Sequence, residues 1–184
     1  MTKLGILIAS ARPNRVGEHV AHWVHDTVAA QLPDSIEIDL IDLREVALPA
    51  FDETTSPKQG EAKVTEHGKS WAERIGALDA LIITTPQYNG AYPGSLKTAI
   101  DWLYAEWSQL PILLVGYGWG AANEVLPMLE TLMSRVGADV IGSLGLGFRE
   151  DLSVDGELFV AEEKAAALVE HLSVLEQRVL SPVG

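Results

Sequence analysis

The run Leu78 to Thr85 sets the first limit on what this chain can build. Its apolar residues Leu81, Ile82 and Ile83 point to both sides of an extended segment too short for a helix, so it reads as a strand covered from above and below. Similar runs recur at Leu4 to Ala9, Pro111 to Val115 and Asp139 to Leu146. Ile36 to Leu43 differs, alternating apolar with acidic residues as a half-exposed edge strand does. Between the runs, apolar residues return at three and four residue intervals. They do so at Val16, Val20, Trp23, Val24 and Val28, at Leu96, Ala99, Ile100 and Leu103, and at Leu126, Leu129, Met133 and Val136. Further helices are predicted from about Ala62 to Ile75 and from Ala161 to Leu180, with a long loop over Arg44 to Gly60 and a glycine-rich turn over Gly116 to Gly120. Strands alternating with helices build a parallel sheet covered on both faces.

Right-handed crossovers, an edge-like second strand and buried first, third and fourth strands predict the order 2-1-3-4-5. This is the flavodoxin-like doubly wound α/β arrangement. With 184 residues, 47% of them hydrophobic, we expect residues 1–184 to form a single domain.

In that order the loops after strands one, three and four meet at one carboxyl edge, where open α/β sheets bind ligands. The first loop carries Ser10, Arg12, Arg15 and Gly17 ahead of a helix. A helix N-terminus with guanidinium groups is an anion site, most naturally for phosphate. The second, Pro86-Gln87-Tyr88-Asn89, can offer N–H groups and an amide to the rim of a flat heteroaromatic ligand. In the third, Gly116-Tyr117-Gly118, the glycines let the backbone approach that ligand closely. Tyr88 and Tyr117 are the aromatics expected at the ligand. Trp102, Tyr104 and Trp107 exceed what one side of a helix in a small domain can bury, which predicts contact with a second subunit.

The chain holds 13 basic and 26 acidic residues, and a net charge of -13 argues against nucleic acid and against an anionic membrane surface. No cysteine is present, so disulfides, thiolate metal sites and cysteine nucleophiles are excluded. No cleavable leader and no apolar run of about 20 residues is evident, and a cytoplasmic location is expected. His19, His22 and His25 stand three apart but lack a zincin pattern, so no metal site is expected. Gly116 to Ala121 fits a G-x-G-x-x-A fingerprint, yet it follows the fourth strand and has no acidic partner at the end of the fifth. No G-x-S-x-G elbow is present, and the ends of strands one and three lack the aspartates of a receiver domain.

Taken together, these loops resemble those of the NAD(P)H-dependent FMN reductases. The family's Gly-Ser-x-Arg matches Ala9-Ser10-Ala11-Arg12, with alanine in place of glycine. Its Pro-(Glu/Gln)-Tyr-Asn and Pro-Gly-x-Leu-Lys-Asn-Ala-Ile-Asp-Trp match Pro86 to Asn89 and Pro93 to Trp102, with Thr98 where asparagine is common. Its Leu-Pro-x-Phe-Asp-Glu matches Leu48 to Glu53. The resemblance implies FMN as cofactor and NADPH or NADH as co-substrate. It places Ser10, Arg12, Arg15 and Gly17 at the phosphate, and Pro86 to Asn89 and Gly116 to Gly118 beside the isoalloxazine. Flavin and nicotinamide carry hydride chemistry themselves, so no catalytic acid or base is nominated. A small-molecule electron acceptor (flavin, quinone or similar) and a homodimer or homotetramer are expected. The competing reading is a flavodoxin-type electron carrier without NAD(P)H oxidation of its own.

Overall fold

The computed structural model describes residues 2–33 and 35–180. Strands β1 (Thr2–Ile8), β2 (Ile36–Asp42), β3 (Ala80–Pro86), β4 (Pro111–Gly118) and β5 (Asp139–Gly147) form one sheet in the expected order, β2-β1-β3-β4-β5. Every neighbouring pair is parallel. Helices α1 (Gly17–Gln31) and α6 (Glu162–Leu180) cover one face, where Val20, Val24, Leu168 and Leu172 meet Ile6 and Ile82. Helices α3 (Glu66–Gly76), α4 (Gly94–Asp101) and α5 (Val125–Arg135) cover the other, where Trp71, Leu96 and Leu129 meet Leu81 and Ile83. Consecutive β3 residues thus supply opposite cores, as the pleat dictates. No helix among the described residues is long and apolar enough to cross a membrane.

β2 is a half-exposed edge strand, as its alternation predicts, with Ile41 its one fully buried residue. Asp39 on this edge holds Arg74 of α3 at 2.7 Å. Such charges on an edge discourage pairing with another chain. The predicted long loop contains α2 (Leu43–Val46) and a 3-10 turn at Pro57–Gln59. Helix α3 starts four residues later than its apolar pattern suggests. The Glu53 carboxylate takes the N–H groups of Val64 and Thr65, and the Thr65 hydroxyl caps Gly68 N at 3.2 Å.

Two expectations are corrected. β4 runs on to Gly118, and the turn is the 3-10 segment Trp119–Ala122, because Gly116–Gly118 pair with Gly145–Gly147 of β5. A Cβ at Gly145 would lie 2.1 Å from the Ala121 carbonyl oxygen, so this glycine permits close packing inside a strand. Trp102 and Trp107 are 0% and 1% exposed within the single chain, their indoles donating to the carbonyls of Pro49 and Ile100, each at 3.1 Å. Helix α4 ends at Asp101, and the chain that follows folds these rings inward. They require no second subunit. Truncating either to alanine would cost about 3–5 kcal/mol.

Candidate functional site

Sheet pairing assembles the site. Ile8, at the end of β1, lies beside Asp42 of β2 and Thr84 of β3, and Ala9 N continues the ladder to the Thr84 carbonyl. The next residue, Ser10, is fully buried, and its hydroxyl meets that of Tyr88 at 2.7 Å, joining the first loop to the second.

Arg15 does not face the site as a free cation. It is 6% exposed and grips Asp42 with both terminal nitrogens, Nη1 donating to Oδ1 at 2.7 Å and Nη2 to Oδ2. The same guanidinium reaches Glu18 and the Ser10 carbonyl, each at 2.5 Å. Asp42 raises the Arg15 pKa further, so it is always charged. Arg15 also draws the Glu18 carboxyl below its ordinary value. Arg15, expected at the phosphate, lines the cleft and also forms a strut between the loop, β2 and α1. Arg12, by contrast, is exposed and has no ion pair among the described residues.

Apart from Pro13, which has none, the backbone N–H groups from Ala11 to Glu18 find no acceptor among the described residues; the first bonded one is His19, to Val16. Val16 caps α1 without a side-chain hydrogen bond. A run of open donors at the positive end of a 15-residue helix is a ready anion cradle. Gly17 is required there by crowding, since a Cβ would lie 2.5 Å from the Tyr117 Oη.

The second loop is tighter than expected. Tyr88 and Ala91 exchange both backbone hydrogen bonds, at 2.8 and 3.0 Å, around Asn89 and Gly90 with φ of 51° and 81°. Gln87 N donates to the Tyr117 carbonyl, so Asn89 keeps the open N–H of the Pro86 to Asn89 run. The Gln87 amide oxygen accepts from Glu124 and Val125 N at 3.1 and 3.2 Å, capping α5 while the residue lines the cleft. In the third loop, Tyr117 is 2% exposed, with its phenol facing Ser10. Burial, with Tyr88 adding to it, pushes that phenol well above its ordinary value, so it stays protonated.

Four loops, not three, enclose the resulting cleft of about 200 Å³. Arg12 and Val16 border it from the first, Gln87 and Tyr88 from the second, Trp119 from beyond β4, and Phe148 and Val154 from beyond β5. Gly116 and Gly118 support it from within β4, next to Tyr117. Trp119 and Phe148 pack edge to face, with centroids 5.4 Å apart. The β5 loop was missed from sequence, although its strand ends at the same sheet edge and an apolar pair in a polar stretch was a usable signal. A phosphomonoester fits the Arg12 and α1 end, because the two nearby carboxylates, Asp42 and Glu18, are balanced by two cations, Arg15 and Arg44. Tyr88, Trp119 and Phe148 suit a flat aromatic ring system.

A doubly wound 2-1-3-4-5 sheet with an anion cradle and aromatic walls at its carboxyl edge defines a flavodoxin-like nucleotide-binding protein. The family model described as NADPH-dependent FMN reductase matches residues 2–151, and the chain belongs to that family. An NAD(P)H-dependent FMN reductase of Saccharomyces cerevisiae is 34% identical over 152 residues, covering 78% of this chain and 80% of the relative. A 2-hydroxy-1,4-benzoquinone reductase of a Burkholderia species is 27% identical over 129 residues, 67% of this chain and 64% of that protein. Among solved structures, the flavoenzyme NAD(P)H:(acceptor) oxidoreductase of Paracoccus denitrificans superposes with a TM-score of 0.71 at 20% identity, over 98% of both chains.

Proposed function

We propose that the four-loop cleft holds FMN and that the chain, acting as one domain, is an NAD(P)H-dependent oxidoreductase that reduces a small flat acceptor such as a quinone. The observation that carries this reading is the pairing of open N–H donors and an unpaired Arg12 with an aromatic-walled cleft. Bound FMN would supply the transfer of hydride from NAD(P)H and of electrons to the acceptor. Arg12 and the N–H groups at the start of α1 would hold the phosphate dianion. Arg15 acts through the loop: it fixes the Ser10 carbonyl and, together with Arg44, balances two carboxylates that would repel that dianion. Asn89 N–H is the open donor of the second loop for the edge of the ring.

The family membership favours the reductase over a one-electron carrier. A quinone-type acceptor is supported by the activity named for the Burkholderia relative. Exposed Phe51 and Val64, on the segment pinned by Glu53, supply apolar surface for a homodimer or homotetramer. Anaerobic mixing of the FMN-loaded protein with NADPH or NADH should bleach the long-wavelength flavin band, and added quinone should restore it. No bleaching with either nucleotide refutes the reductase reading and leaves the carrier.

A further inference from the structure

Lysines and arginines in this acidic chain are mostly paired with carboxylates; those without such a partner among the described residues are Arg12, Lys58, Lys63, Arg135 and Arg149. Of the five, Arg12 lines the cleft and Arg149 adjoins its rim. Arg149 follows directly on Phe148 of the cleft wall, and its guanidinium lies 5.2 Å from the centre of the Trp119 ring. That ring is 55% exposed, unusual for the largest apolar side chain, and it forms the rim beyond β4.

The backbone holds Arg149 in place. Its N–H donates to the Leu152 carbonyl at 2.8 Å, and the neighbouring Phe148 N–H donates to the Gly118 carbonyl at 3.1 Å. Asp151, 1% exposed, closes the turn by accepting Gly147 N at 2.7 Å and Lys164 Nζ at 2.5 Å. Arg149 has φ of 70°, a conformation in which glycine or asparagine would be less strained. An exposed arginine is thus kept in a strained position over an exposed indole, with its guanidinium donors unused by acceptors among the described residues. Stacking leaves the guanidinium edge free for bidentate bonding to an oxyanion.

We propose that Arg149, presented on the Trp119 face, recognises a phosphate group of the dinucleotide co-substrate and so sets its affinity. This rests on the reading of the cleft as the FMN site, because Arg12 then serves the cofactor and the second cation is left for the second anionic ligand. The phosphate is either the 2'-phosphate of NADPH or the pyrophosphate common to NADPH and NADH. Trp119 does the orienting, and Asp151 with Lys164 fixes the loop that carries the arginine.

The test is calorimetric titration of FMN-loaded protein with NADP+ and with NAD+, in the parent and in Arg149→Asn, which removes the charge and suits the left-handed backbone. Loss of one charge-assisted phosphate contact should weaken binding about tenfold or more, with Arg149→Lys recovering part of it. A loss confined to NADP+ assigns the 2'-phosphate; an equal loss for both assigns the pyrophosphate. Arg135→Ala, which changes net charge equally on distant α5, should leave both affinities unchanged. FMN affinity, read by flavin fluorescence, should be the same in all variants. Unaltered dinucleotide binding in Arg149→Asn overturns the inference while leaving the FMN site standing, and so does an equal loss in Arg135→Ala. Failure of the parent to bind FMN refutes the underlying site.

Discussion

Gly17→Ala should be harmful although it replaces glycine by the best helix former at the start of α1. On a free helix surface the change would stabilise by up to about 1 kcal/mol. Here the new Cβ would lie 2.5 Å from the Tyr117 Oη, about 1 Å inside ordinary contact, and 3.4 Å from the Ser10 Cβ. Tyr117 cannot withdraw, because it is 2% exposed and its phenol faces the fully buried Ser10. Overpacking of this kind costs about 1–3 kcal/mol, so the net loss should be about 1 kcal/mol. Tyr117→Phe alone should cost up to about 1 kcal/mol through the lost polar interaction of its phenol with the Ser10 side chain. In the double variant the offending oxygen is gone and the nearest ring atom stands at 3.4 Å, so alanine regains its helical advantage. Urea unfolding of the four proteins without flavin, followed by circular dichroism, should therefore yield a coupling of about 2 kcal/mol. If Gly17→Ala has the same effect with tyrosine or phenylalanine at 117, the crowding argument fails.

The Arg15 strut should report on pH. Burial opposes ionisation of Asp42, yet the Arg15 side chain and the Arg44 N–H bring its pKa below the ordinary 3.8. A depressed carboxylate adds stability above its unfolded value and loses it as pH falls through the folded one, so thermal stability should drop on acidification below about pH 4. Asp42→Asn should lower stability by roughly 2–3 kcal/mol near neutrality and flatten that acid dependence in thermal melts; an unchanged slope would count against the strut. Asp151→Asn retains an acceptor for Gly147 but leaves Lys164 without its partner, and should cost about 1–2 kcal/mol. Hydrogen exchange at the Phe148 and Arg149 amides should then quicken while α1 is unaffected; uniform quickening would contradict a local role. Arg12→Ala should weaken FMN about tenfold and lessen its salt dependence, with riboflavin unaffected, whereas equal weakening of both flavins would remove Arg12 from the phosphate.

The sheet order was legible because β3 is apolar on both faces and β2 alternates, features that depend on each strand's own neighbours in the sequence. What was not legible depended on partners distant in sequence. Arg15 reads as a phosphate ligand, and only the β1–β2 register, which brings Asp42 beside Ile8, reveals that its guanidinium is also a strut. Gly116 and Gly118 read as a turn because the matching glycines of β5, which let the chain pack closely there, lie about thirty residues on. Gln87 reads as a ligand contact, and nothing beside it in sequence shows that its amide also caps a helix 37 residues away. Trp102 and Trp107 read as interface because the inward bend after Asp101 leaves no periodic signature. The β5 loop, with Phe148, Arg149 and Val154, lies beyond the motifs that carry the family resemblance. Its apolar members were visible, but not the Trp119 ring that Phe148 and Arg149 meet.

Fluorescence titration of flavin-free protein with FMN and, in parallel, with riboflavin tests the cleft most directly. An anion cradle at the start of α1 predicts saturable quenching of FMN, with riboflavin bound at least about a hundredfold more weakly because it lacks the phosphate. Equal affinity for the two, or no quenching by FMN at any concentration, would contradict the account.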